Sequence, residues 1–254
     1  AGASLGLLGF HSHTSNHPME GKMNPRGEDA WYHDPNLLVV ADGVGAWADQ
    51  GIDPSLYSGN LTFIAHTLFY HDVKRYSQRP KDLMKACSDL NVNLGSSTMV
   101  IVTLHAHTLQ TASMGDSQYV LYRKEGEVVK PLYRSTPAQH FFNAPFQLGR
   151  GEDDLDVAVA EQHAVAEGDL VVVGSDGLFD NLYPHDIDKI VGDHYGELPQ
   201  IIADLLLHKA VTLAANTSYV SPFEKEARKH NQNLRGGKPD DTTVIVAYIK
   251  ERQD

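Results

Sequence analysis

Residues 37–45 read LLVVADGVG: four large apolar side chains in succession, then an alanine, then an acid at Asp42 followed at once by glycine. A strand with one face in water alternates apolar and polar residues, whereas an unbroken branched run requires cover on both faces. The same texture recurs in TMVIVTLH (98–105), DLVVVGS (169–175) and TTVIVAYI (242–249). TLQTASM (108–114), QYVLYR (118–123) and VAVAEQHAV (157–165) are further strand-like runs, rich in branched and aromatic residues. His107 between two of these runs, and Gly115-Asp116-Ser117 between the next two, are short enough to read as hairpin turns.

Helical spacing is confined to two blocks. Over about 53–94, Leu56, Leu61, Ile64, Ala65, Leu68 and Phe69 form one apolar stripe, and a second helix from Pro80 carries Leu83, Met84, Cys87 and Leu90. Over roughly 184–215 the stripe runs through Ile187, Ile190 and Val191, then Ile201, Ile202, Leu205 and Leu206. Hairpins buried on both faces, with two helical blocks far apart in sequence, predict an α+β fold. The expected architecture is a four-layer αββα sandwich, two antiparallel sheets face to face and flanked by helices. Neither an internal repeat nor a Gly/Ser- or Pro-rich linker divides the chain, so residues 1–254 are expected to form a single domain.

The formal charge of −12 makes the surface as a whole repel phosphate backbones and anionic lipid, which argues against nucleic-acid and membrane binding. No stretch is apolar for long enough to span a bilayer. The single cysteine, Cys87, excludes an internal disulfide and suits a reducing compartment.

Acids stand at the ends of these strands. Asp42 closes one, Asp116 another and Asp176 a third; Asp240 and Asp241 precede TTVIVAYI, and Glu28 and Asp29 precede AWYH. Any one alone reads as an ordinary turn, because Asp-Gly and Gly-Asp are common turn pairs. Five such positions in one chain are harder to assign to turns, since antiparallel strands meeting at one rim would bring the carboxylates together. Gathered acids repel and are costly near a core. No Lys or Arg lies beside Asp42, Asp116 or Asp176 within these motifs, so a hard divalent cation bound through oxygen is the expected counter-charge.

RGEDAWY, VVADGVGAW, GSSTMVIV, MGDSQYVLYR, VVVGSDGLFDNL and KPDDTTVIV resemble, in order and spacing, the signature blocks of the metal-dependent protein phosphatases of the 2C type, from about residue 26 to 249. GIDPSLYSGNL, QHFFNAPFQLG and SPFEKEARKHNQNLRGGKPDD resemble its mitochondrial branch. The resemblance implies removal of phosphate from phosphoserine and phosphothreonine in a phosphorylated protein partner, by direct attack of water activated at a centre of two Mn²⁺ or Mg²⁺ ions, without a phosphoenzyme. It further suggests mitochondrial residence, and a monomer is expected. By position, Asp42 would bridge both ions and Gly43 would add its carbonyl. Glu28 would complete one site, and Asp176 and Asp240 the other. Asp29 would hold water on the metals, and Asp116, with Asp180, would serve a weaker third ion. Asp240 is preferred to Asp241 by setting DDTTV against the family pattern DNxTV.

Three positions depart from the pattern. Val44 stands where some relatives carry a histidine general acid, Gly45-Ala46 replaces a glycine pair, and Arg26 lies closer to the Glu-Asp pair than the usual phosphate-binding arginine. The alternative function is a regulatory or phosphoprotein-binding module that keeps the fold with weak catalysis. Ser175 has only one of the two flanking glycines of a nucleophile elbow and reads as structural. His11, His13 and His17 read as exposed. The basic segment Lys225–Lys238 reads as a solvated loop and short helix, with Arg235 and Lys238 as a secondary candidate for meeting a phosphorylated partner. The loop from Pro137 to Gly149, with three phenylalanines, reads equally as a substrate-facing flap or a core plug.

Overall fold

The computed structural model describes residues 7–252. The strands and helices run in the order β1 (Leu8–His17), β2 (Asp29–His33), β3 (Leu37–Asp42), α1 (Pro54–His71), α2 (Val73–Tyr76), α3 (Pro80–Leu90), β4 (Ser96–Ser97), β5 (Met99–His105), β6 (Thr108–Met114), β7 (Gln118–Glu125) and β8 (Val128–Arg134). There follow β9 (Gln139–Phe141), β10 (Ala144–Pro145), β11 (Leu148–Gly149), β12 (Val159–Ala164), β13 (Leu170–Gly174), α4 (Asp176–Phe179), α5 (Pro184–Asp193), α6 (Pro199–Ala214), α7 (Pro222–Lys229) and β14 (Thr242–Glu251). Two five-stranded antiparallel sheets, ordered β1-β14-β13-β7-β8 and β12-β6-β5-β3-β2, carry helices on their outer faces.

The unbroken apolar runs explain the layering. In β3, Leu37 and Val39 point outward onto α1 and α3, where they meet Leu61, Phe69, Leu83 and Met84. Their neighbours Leu38 and Val40 point inward, against Val171, Val173, Ile245 and Ala247 of the facing sheet. In β13 and β14, Leu170, Val172, Val244 and Val246 face α5 and α6, meeting Ile187, Val191, Ile202 and Leu206. Five of the helices open with proline in the first turn, at Pro54, Pro80, Pro184, Pro199 and Pro222, where the missing N–H costs nothing and φ is already helical.

Some local readings change. Gly115-Asp116-Ser117 does not close a hairpin: β6 belongs to one sheet and β7 to the other, so this turn carries the chain between layers. Gly115 takes φ +96°, and a Cβ there would lie 2.6 Å from Phe146 O, so no other residue fits the corner. Strands β1 and β8 sit at the two edges of their sheet, and their polar composition hid them from a pattern search. Strand β1 nevertheless pairs with β14 along all ten residues.

The register of this sandwich delivers the acids. Asp29 at the start of β2 pairs with Asp42 at the end of β3. Gly174, two residues before Asp176, pairs with Val244 near the start of β14. These termini therefore share one rim.

Candidate metal centre

Glu28, Asp42, Gly43, Asp116, Asp176 and Asp240 line one cavity of about 300 Å³, together with Val44, Thr98, Asn143 and two lysines, Lys22 and Lys238. Gly43 is locked by close approach: its N–H donates to Glu28 O at 3.0 Å, and a Cβ would lie 2.8 Å from Pro54 O. The backbone carbonyl of Asp42 accepts from Thr98 N–H (3.0 Å) and from the Ser97 hydroxyl (2.9 Å), which fixes the end of β3.

Behind the cavity, Asp29 is buried. Its Oδ2 accepts from the hydroxyls of Ser175 and Thr243, each at 2.7 Å. Its Oδ1 is buried and has no hydrogen-bond partner among the described residues. Ser175 is wholly buried and also accepts from Thr243 N–H at 3.0 Å, so it is a strut between β13 and β14.

The adjacent acids of DDTTV separate cleanly. Asp241 is turned away from the cavity, accepting from Met19 N–H and Glu28 N–H at 2.7 Å each. Asp240 faces the cavity. Thus one acid ties down the backbone at Glu28, and the other is turned towards the cavity.

The expected counter-charge is partly built in. Lys238 Nζ lies 2.6 Å from Asp176, 2.7 Å from Asp180 and 3.4 Å from Asp240. Lys22 Nζ lies 2.6 Å from Glu28, 3.4 Å from Asp240 and 3.8 Å from Asp241. Sequence reading missed both lysines as partners, because Lys22 lies far along the chain from Asp240, and Lys238 had been assigned to a basic surface segment. The rest of that segment matches the solvated reading: Arg228 pairs with Glu224, and Lys229 with Glu226 at 2.7 Å. Arg26 is exposed and does not line the cavity; Lys22 is the cation at that rim.

The proton balance follows from burial and charge. Burial, then the neighbouring Asp29 and Asp176, push the Asp42 carboxyl well above its ordinary range. Burial also opposes ionisation of Asp176, but Lys238 outweighs it and holds Asp176 below the usual range. The two neighbouring carboxyls are thus pushed in opposite directions, Asp42 towards its neutral form and Asp176 towards its ionised form. Burial lifts Asp29 to about 7, Asp116 to about 8 and Asp180 to about 6, with carboxylate neighbours adding to each. Burial likewise raises Glu28 and Asp240.

Among the described residues, no three or more His, Cys, Asp or Glu side chains are arranged to hold a metal ion as they stand. Glu28, Asp176 and Asp240 are instead paired with the two ammonium groups. The donor set still fits a hard cation. Every side-chain donor among the acids is oxygen, and Asp29 Oδ1 and Asp176 Oδ1 are both buried with no hydrogen-bond partner among the described residues.

A second cavity of about 470 Å³ adjoins the first and shares Asp116 and Asn143 with it. The loop 137–149 forms one wall. Within that loop Leu148 and Phe142 are buried, as a core plug requires, and Phe141 stands out in solvent at 71% exposure.

The family model described as Stage II sporulation protein E (SpoIIE) matches residues 34–250. The chain is 36% identical over 251 residues to the "Protein phosphatase PTC7 homolog" of Danio rerio, covering 90% of this chain and 83% of that one. It is 33% identical over 252 residues to the "Probable protein phosphatase 2C 26" of Arabidopsis thaliana, covering 91% of this chain and 81% of that protein. Among solved structures, the photosystem II phosphatase PBCP superposes with a TM-score of 0.86 at 28% identity, over 96% of this chain and all of that one.

Proposed function

The chain belongs to the metal-dependent protein phosphatases of the 2C type, and from that premise we propose that it hydrolyses phosphoserine and phosphothreonine in proteins using two Mn²⁺ or Mg²⁺ ions. The observation that carries this reading is the meeting of Glu28, Asp42, Gly43, Asp176 and Asp240, from distant strand ends, in one cavity. Asp42 would serve both ions, Gly43 would add its carbonyl and Glu28 would complete one site. Asp176 and Asp240 would hold the other ion, and Asp116 with Asp180 would serve a weaker third. When bound, hard cations of this kind lower the pKa of water and neutralise the oxygens of an in-line phosphoryl displacement.

The remaining chemistry belongs to the chain's own groups. Asp29 is anchored through Oδ2 by Ser175 and Thr243, which leaves Oδ1 to accept from a water and orient it for attack. Lys22, with a fifth of its side chain exposed beside Glu28, would meet phosphoryl oxygens in place of an arginine at the position of Arg26. Val44 lines the cavity and carries no proton, so a group other than residue 44 must protonate the leaving oxygen. The branch resemblance supports a mitochondrial setting.

Hydrolysis of p-nitrophenyl phosphate and of a phosphothreonine peptide, measured across a Mn²⁺ titration and after chelation, tests the reading. Turnover should rise with Mn²⁺ and vanish on chelation. Turnover that survives chelation would refute the mechanism, and calorimetric Mn²⁺ binding without turnover would leave only a binding module.

A further inference from the structure

The larger cavity is walled by two segments that lie outside the acid motifs, the loop 137–149 and the stretch from Pro222 to His230. Phe142 stacks against Phe223 with ring centroids 5.1 Å apart and against His230 at 5.6 Å, which joins the two walls. Phe141 and Phe179 face the same space. The acids lining it are already engaged: Asp180 by Lys238 at 2.7 Å, Asp116 by Gln139 Nε2 at 3.0 Å, and Glu226 by Lys229 at 2.7 Å. Gln118, His140 and His230 also line it, and four phenylalanines supply its apolar surface.

This cleft is continuous with the acid cavity. They share Asp116 and Asn143, and Lys238 stands at the seam, its Nζ 3.4 Å from Asn143 Oδ1 and 5.1 Å from the centre of the Phe223 ring. A polypeptide held by its phosphate among the acids must leave along the surface, and an extended chain covers roughly 10 Å in three residues. We propose that the cleft binds an apolar, preferably aromatic, side chain of the substrate within three residues of the phosphorylated one. This rests on the phosphatase reading above and deepens it, since it specifies which phosphoprotein segments are favoured. Phe141, 71% exposed at the mouth of this cleft, is free to pack against such a side chain.

The test is a phosphothreonine peptide series on the Mn²⁺-loaded protein, with one phenylalanine moved stepwise from three residues before the phosphothreonine to three after it. Each peptide is compared with the same peptide carrying alanine. At one or two positions, kcat/KM should rise by about tenfold over the alanine peptide, the gain expected from half-burying an aromatic ring. That ratio should fall towards one in Phe141→Ala and in His230→Ala, with thermal unfolding confirming that both variants fold, and should recover largely in Phe141→Leu. A ratio near one at every position in the unaltered protein, or a ratio that survives both alanine variants, would overturn the proposal. Binding of matched phosphonate peptides, followed by fluorescence anisotropy, reads the same preference without turnover. A protein that hydrolyses nothing yet prefers the aromatic phosphonate peptide would sink the phosphatase reading and keep the cleft.

Discussion

The acid cavity and the aromatic cleft beside it share two residues and are built in opposite ways. The cavity is made from strand termini whose positions are set by ladder register: Asp29 opposite Asp42, and Asp176 and Asp240 at the joined ends of β13 and β14. The cleft is made from a loop, two very short strands and an eight-residue helix, held together by ring stacking. The first construction fixes oxygens closely, as phosphoryl chemistry requires, and tolerates little change. The second can vary in shape without disturbing the sheets, which suits recognition of different substrates.

That contrast can be broken most forcefully at Asp176. Asp176→Asn should lower kcat/KM by about a thousandfold, and by the same factor on p-nitrophenyl phosphate and on a phosphopeptide, because the loss falls on chemistry common to both. A loss confined to the peptide would show that the two regions are not divided as described.

Lys238→Met probes the cavity's other dependence. Removing an ammonium that touches Asp176, Asp180 and Asp240 leaves buried carboxylates uncompensated, so the metal-free protein should lose about 3 kcal/mol of stability. Mn²⁺ should restore most of it, as followed by thermal unfolding with and without the ion. Unaltered metal-free stability would mean that Lys238 is not the counter-charge its distances suggest. Phe141→Ala offers the contrast, since its effect belongs to substrate preference and leaves this metal linkage alone.

A pH slope reads the same cavity without any substitution. In the metal-free chain, burial holds the Asp29 carboxyl protonated up to about 7 and that of Asp116 up to about 8, whereas unfolded aspartate ionises near 3.9. Between those limits the folded state binds more protons than the unfolded state, so stability falls as pH rises from about 5 to about 8. The melting temperature without metal should decline over that window. Mn²⁺, which favours the ionised carboxylates, should flatten the decline; an unchanged slope would indicate that the ion does not reach these acids.

How far each region could be read from sequence follows the same division. The consecutive apolar runs around Val39, Val172 and Ile245 required two covered faces, and the strand-end acids could be located by their position alone. Strands β1 and β8 escaped because β1 runs through the polar stretch His11–His17 and β8 carries Lys130-Pro131 at its middle. The corner at Gly115 looked like a hairpin because a short turn reads the same whether the next strand joins the same sheet or the other one.

The sequence by itself determined the four-layer sandwich and the set of acids at its strand ends, because hydrophobic periodicity and strand termini are local properties of the chain. Only the tertiary structure decided that Asp240 faces the cavity while Asp241 braces Glu28, that Lys22 and Lys238 neutralise the acids, and that Phe142 seals one wall while Phe141 stays open. Each of those outcomes depends on which groups distant in sequence meet in space. A side chain's charge partners and burial are set by such meetings, and no local pattern encodes them.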